Sequence, residues 1–190
     1  MTSMWYDRMS FGRKEVKAMM SENLVAEMNK QINFEFYSSN FYLAMAAYCA
    51  AEDLDGFANF FTVQAQEENF HAMKIFHFLN ATGNRVLIEG LEAPQNEFTS
   101  VEDVFRAAYE HEQLVTKRIY YLADMAAQER EHATSSFLNW FIDEQIEEEA
   151  TFSSILKKLE RIGADGNALY MLDDELGKRT FEPQDATTFK

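Results

Sequence analysis

The chain has 190 residues with a net charge of −15, one cysteine, two prolines and seven glycines. That length suits a single domain able to bury a core without covalent staples. The acidic balance argues against nucleic acid, which needs clustered Lys and Arg, and against anionic membrane surfaces; it favours attraction of cations. Cys49 alone rules out a disulfide framework and any cysteine-built metal ribbon. No apolar run reaches membrane-spanning length and no secretory core opens the chain, so the expected compartment is the cytoplasm.

Residues 1–20 form a mildly basic mixture with Trp5, Tyr6, Arg8, Arg13, Lys14 and Lys17, and are expected to be an extension, disordered or packed on the surface. Ser21 is a plausible N-cap, and from it a helix is expected to about Ala50. Its apolar stripe reads Leu24, Met28, Ile32, Glu35, Ser39, Tyr42, Ala46, Cys49. A short acidic turn around Asp53 and Gly56 leads to a second helix, Asp55 to about Thr82, antiparallel to the first. Its stripe reads Phe57, Phe61, Gln64, Glu68, His71, Ile75, Phe78.

Residues 83–100 are a long loop for one domain. At roughly 60 Å extended, they can travel the length of a helix of about 42 Å and cross a bundle from end to end. Ser100, with Asp103 three residues on, resembles a capping box. A third helix is expected over Val101 to Ala127, with Val101, Phe105, Ala108, Glu112, Val115, Ile119, Leu122 and Ala126 in its stripe. After a polar link at Glu129 to Ala133, a fourth helix is expected from about Thr134 to Ile162, striped by Leu138, Phe141, Gln145, Glu148, Phe152, Ile155, Leu159 and Ile162. Gly163 stops it. A short fifth helix carries Leu169, Leu172 and Leu176 and ends near Gly177, and the chain closes in a polar tail over residues 179–190. The whole reads as all-α, with one bundle over residues 21–178.

Steps of three and four keep each stripe on one helical face, and each is interrupted near its midpoint by a carboxylate: Glu35, Glu68, Glu112 and Glu148. Single acids on helices usually reach solvent at the stripe edge. Four in phase, with His71 one turn from Glu68, describe a buried acidic layer, which demands compensating hard cations. Four-helix bundles with one long crossover are known to house such metal pairs between facing helices.

The stretches NFEFYSSNFY at 33–42, AQEENFH at 65–71, AYEHEQLVTKRI at 108–119 and FLNWFIDEQIEEEATF at 137–152 resemble those of non-haem bacterial ferritins, over about residues 21–178. The resemblance implies a ferritin-like four-helix bundle with a long crossover between the second and third helices and a short fifth helix. It also implies a homo-oligomeric shell of twenty-four subunits that oxidises Fe(II) with dioxygen or peroxide and stores ferric mineral. Carried over by position, Glu35, Glu68 and His71 would bind one iron and Glu68, Glu112 and Glu148 the second, with Glu68 bridging and Gln145 hydrogen-bonding nearby. Gln145-x-x-Glu148 departs from the Glu-x-x-His of symmetric sites, which makes the two irons inequivalent. Glu67, Glu144 and Glu147, with Glu148, match a third iron position; the plain alternative is a solvated acidic face. Tyr42 matches a tyrosine that can supply an electron, and also reads as a core residue bonded to a carboxylate; Trp140 is a second candidate donor, with core packing the simpler role. His77, His111 and His132 receive no role.

Asn69 stands where a bacterioferritin needs a haem-ligating methionine, so no haem is expected. A single cysteine excludes a rubrerythrin-type iron domain, and the fifth helix argues against a mini-ferritin. The alternative from a different class is a structural or interaction bundle whose acids bind metal adventitiously.

Overall fold

The computed structural model describes residues 20–182; the extension expected over residues 1–20 lies outside it except for Met20, as do residues 183–190 of the tail. Five helices, α1 Glu22–Ala51, α2 Asp55–Ala81, α3 Val101–Gln128, α4 His132–Ile162 and α5 Gly166–Leu176, make up the described chain, with no strand among the described residues. Ser21 caps α1, its Oγ accepting from Leu24 N at 3.1 Å and donating to Glu129 at 2.6 Å. The first bond satisfies an orphan helix donor and the second ties the start of α1 to the end of α3.

The α3–α4 link is shorter than its polar composition suggests. Arg130 adopts a positive φ of 57°, and Glu131 is buried and accepts from Ala133 N at 3.0 Å, so that α4 begins at His132 rather than at Thr134. At the start of α3, Ser100 Oγ accepts from Asp103 N at 3.1 Å, while the Asp103 carboxylate bonds Thr99 N at 2.9 Å, one residue further out than a strict capping box.

Two asparagines one turn apart on α1 hold the crossover. Asn29 bonds Arg85 O at 3.1 Å and Leu87 N at 2.7 Å; Asn33 bonds Leu87 O at 2.9 Å and Glu89 N at 2.8 Å. Each amide offers one donor and one acceptor, as a neighbouring strand would, so the loop satisfies its backbone along α1. Phe98 then buries edge-on against Tyr48, near the far end of α1. The loop therefore spans the bundle lengthwise as its length predicts.

The fifth helix rests on the first turn of α2. Phe57 N donates to Asp173 Oδ1 at 3.0 Å, and a Cβ at residue 56 would lie 1.8 Å from the Asp173 carbonyl oxygen, which makes glycine the residue that admits this approach.

All four stripes are buried, apart from half-exposed Val101 and Ile162 at their ends. Their apolar residues form two separate clusters. One is built around Tyr42, Phe57, Phe61, Phe105 and Phe152, the other around Leu24, Ile32, Ile75, Ile119 and Phe141. The midpoint acids of the four stripes fall between the two. Hydrophobic burial on both sides holds the helices together and fixes this layer in place.

Candidate metal centre

Glu35 and Glu112 are wholly buried, Glu68 is 1%, His71 4% and Glu148 7% exposed. Glu35, Glu68 and His71 each bring one ligand-type atom within 4.8 Å of the others, and His71 Nδ1 lies 3.7 Å from Glu68 Oε2. Glu35 Oε2 and Glu68 Oε2 are buried without a hydrogen-bond partner. Buried acceptors left open in this way are otherwise costly, and a cation between them would satisfy both.

Three other oxygens, both of Glu112 and Oε1 of Glu35, are held by neutral donors. Tyr42 donates its phenol to Glu112 Oε1, and Gln145 Nε2 donates to Glu112 Oε2 at 3.0 Å. Gln31 Nε2 donates to Glu35 Oε1 at 2.8 Å, and its own Oε1 accepts from Arg118 Nε at 2.9 Å. Arg118, stacked 4.2 Å over Phe34, fixes the Gln31 amide with its NH₂ toward Glu35.

Burial first, and then Glu68, push Glu35 up to about 8. Burial, then Glu112 and Glu67, raise Glu148 to about 8. Burial raises Glu112 to about 7 against the opposing bonds from Tyr42 and Gln145, and Glu68 lies well above the ordinary range through burial, Glu112 and Glu148. Burial and Glu112 also keep Tyr42 neutral. Without metal the layer retains protons near neutrality, and a cation entering it must expel them.

Outside the layer, Glu67, His71, Glu144, Glu147 and Glu148 line a cleft of about 170 Å³ between α2 and α4. Glu147 is exposed, and Glu67 and Glu144 are half-buried, with pKa values raised chiefly by that burial. Trp140 also lines the cleft, edge-on to His71 at 5.4 Å and with Lys74 Nζ 4.1 Å above its ring, so it has a packing role whatever else it does.

All seven residues expected at the centre thus gather in or beside one layer, and the three outer acids share the adjoining cleft. Sequence reasoning missed Gln31, Arg118 and Arg179. Gln31 was within reach of inspection, being one turn before Glu35. Arg118 and Arg179 act across the tertiary fold and carry no local signal. His77 and His132 are exposed, whereas His111 is buried, its Nε2 2.8 Å from Ser38 Oγ and its ring packed against Phe34 and Phe41. Burial, then Arg118, lower it to about 4, which keeps it neutral inside the α1–α3 contact.

A four-helix bundle with one lengthwise crossover and a buried mid-height layer of Glu and His defines the carboxylate-centred bundle class. Residues 25–162 match the ferritin-like domain family, and the chain belongs to that family. It is 46% identical over 166 residues to a bacterial non-heme ferritin of Staphylococcus aureus, covering 87% of this chain and all of that protein. The corresponding protein of Staphylococcus epidermidis is 45% identical over the same length. Among solved structures, a closed form of the Archaeoglobus fulgidus ferritin engineered by site-directed mutagenesis is 47% identical. It superposes with a TM-score of 0.85 over 86% of this chain and 99% of that one. The open-pore ferritin of the same archaeon gives a TM-score of 0.84 at 47% identity.

Proposed function

We propose that this ferritin stores iron, taking up ferrous ions, oxidising them within each subunit and passing the ferric product to a cavity enclosed by twenty-four copies. The observation that carries this reading is the layer of four buried carboxylates and His71, with two carboxylate oxygens left without partners. Hard oxygen donors in excess favour the ferric over the ferrous ion, which lowers the cost of removing an electron.

Glu35, Glu68 and His71 hold one ferrous ion and Glu68, Glu112 and Glu148 the other, Glu68 serving both. Each ion gives one electron; dioxygen takes two electrons and two protons and leaves as hydrogen peroxide. Tyr42, hydrogen-bonded to Glu112, orients that carboxylate. Gln145 holds the other Glu112 oxygen. Iron leaves through the outer cleft, where Glu67, Glu144 and Glu147 with Glu148 offer a third position. Among the described residues ten large apolar side chains are exposed on the isolated subunit, Leu43, Leu114, Ile146, Tyr170 and Met171 included, and a shell of copies would cover such surface. Among the described residues no helix is long and apolar enough to cross a membrane.

Adding ferrous iron to the purified protein should consume dioxygen at once, in a first phase of two ferrous ions per subunit, from a particle whose native mass is that of twenty-four chains. Oxidation no faster than in buffer would favour the alternative, a structural bundle whose acids bind metal adventitiously.

A further inference from the structure

Residues 177–182, beyond α5, do not leave the bundle as the sequence suggests. Asn59 Nδ2 on α2 donates to Arg179 O at 2.9 Å and to Gly177 O at 3.3 Å, which draws the segment back along α2. The Arg179 guanidinium lies 4.4 Å over the Phe60 ring and donates to Gln64 Oε1 at 2.8 Å and to Glu67 Oε2 at 2.5 Å. Phe181 follows, edge-on to Phe70 at 6.4 Å. Arg179, Phe181 and Glu182 thereby form the rim of the acidic cleft whose other walls include Glu67, His71, Glu144, Glu147 and Glu148.

We propose that Arg179 is the resident counter-cation of the outer acidic cleft, holding the place on Glu67 that a metal ion takes, so that an ion enters this position only by displacing the guanidinium. The proposal rests on the metal-centre reading above and adds a residue that sets occupancy of its outer position. Three features support exchange over a fixed structural bond. The guanidinium never loses its charge, so only a competing cation or movement of the segment removes it. Arg179 and Glu67 are each about a quarter exposed at the side chain (24% and 23%), so the pair is open to solvent and reversible. Gln64, wholly buried one turn before Glu68, gives its oxygen to Arg179 while its NH₂ is left without a partner, so this end of the contact is incompletely bonded.

The experiment is calorimetric titration of the assembled, metal-free protein with zinc, comparing wild type with Arg179→Ala and Arg179→Lys. The wild type should take two ions per subunit tightly and a third weakly. In Arg179→Ala the third ion should bind about tenfold more tightly, the loss of one charge-assisted competitor, with the first two within about twofold of wild type. Arg179→Lys, which keeps the charge but not the fork, should fall between. In the wild type, hydrogen exchange at the amides of residues 178–182 should accelerate with the third equivalent of zinc and not with the first two. Unchanged or weaker binding of the third ion in Arg179→Ala, or exchange indifferent to it, would overturn the proposal and mark Arg179 as a strap. Two ions bound and no third in any variant would overturn it while leaving the inner centre intact. Failure to bind even two would remove both. Should the variants not assemble, the exchange measurement on the wild type decides alone.

Discussion

Glu68→Ala is expected to reduce the initial rate of ferrous iron oxidation by more than about a hundredfold while leaving the native mass of the particle unchanged. Outer-sphere partners of metal ligands already cost about 10–100-fold when lost, and a carboxylate proposed to serve both ions should exceed that. Glu68 is also the one acid flanked on both sides, by Glu35 and His71 within 4.8 Å and by the Glu112 and Glu148 charges that raise its pKa. Assembly should survive because the apolar clusters above and below the layer are untouched, and removal of a buried acid relieves repulsion. Stopped-flow absorbance of the ferric product reads the rate. A first phase as fast as wild type would remove Glu68 from the bridging position.

The second large effect concerns stability without metal. Glu35 and Glu148 sit at about 8 and Glu112 at about 7, all raised by burial from an ordinary 4.5. A carboxylate whose folded pKa is raised binds its proton more tightly in the folded state. Its penalty is absent below the unfolded value and grows as pH rises toward the folded value. For Glu35 alone this is on the order of 3 kcal/mol between pH 4.5 and about pH 7. The metal-free protein should therefore melt at higher temperature near pH 6.5 than near pH 8. Below about pH 6.5 His111 opposes the trend, because its lowered folded pKa makes protonation favour the unfolded chain. Zinc, binding only the folded site, should stabilise by about 2.7 kcal/mol at a hundredfold excess over Kd. Glu112→Gln should show a smaller zinc response and a weaker pH dependence, since it removes a ligand and a raised carboxyl together. Calorimetric melts with and without zinc, at both pH values, test this; equal responses in the two proteins would mean that the layer is not a metal site.

Much of this centre is legible in the sequence because its physics is local. Glu35, Glu68, Glu112 and Glu148 interrupt otherwise apolar stripes, and helical periodicity alone puts them on buried faces at one height. The long crossover was equally readable, since 18 residues between antiparallel pairs have few other routes. What could not be read depends on contacts between distant segments. Asn29 and Asn33 look like ordinary polar positions on α1 until the loop lies against them. Glu131 looks like part of a polar link, yet its buried carboxylate caps α4 and moves the helix start by two residues. Arg179 sits in a segment whose composition suggests a solvated tail, and only the docking of α5 through Gly56 and Asp173 brings it over Glu67. Periodicity reports which face is buried; it carries no information about what a chain end folds back upon.

The central claim, that the buried acidic layer holds a pair of metal ions, is tested most directly by anomalous diffraction from crystals of the assembled protein soaked anaerobically in ferrous iron. Data collected at the iron edge should show two strong peaks inside each subunit. One should be bounded by Glu35, Glu68 and His71, the other by Glu68, Glu112 and Glu148, with Glu68 reaching both. Iron density confined to the outer acids Glu67, Glu144 and Glu147 or to the particle surface, with the four midpoint carboxylates empty, would contradict it.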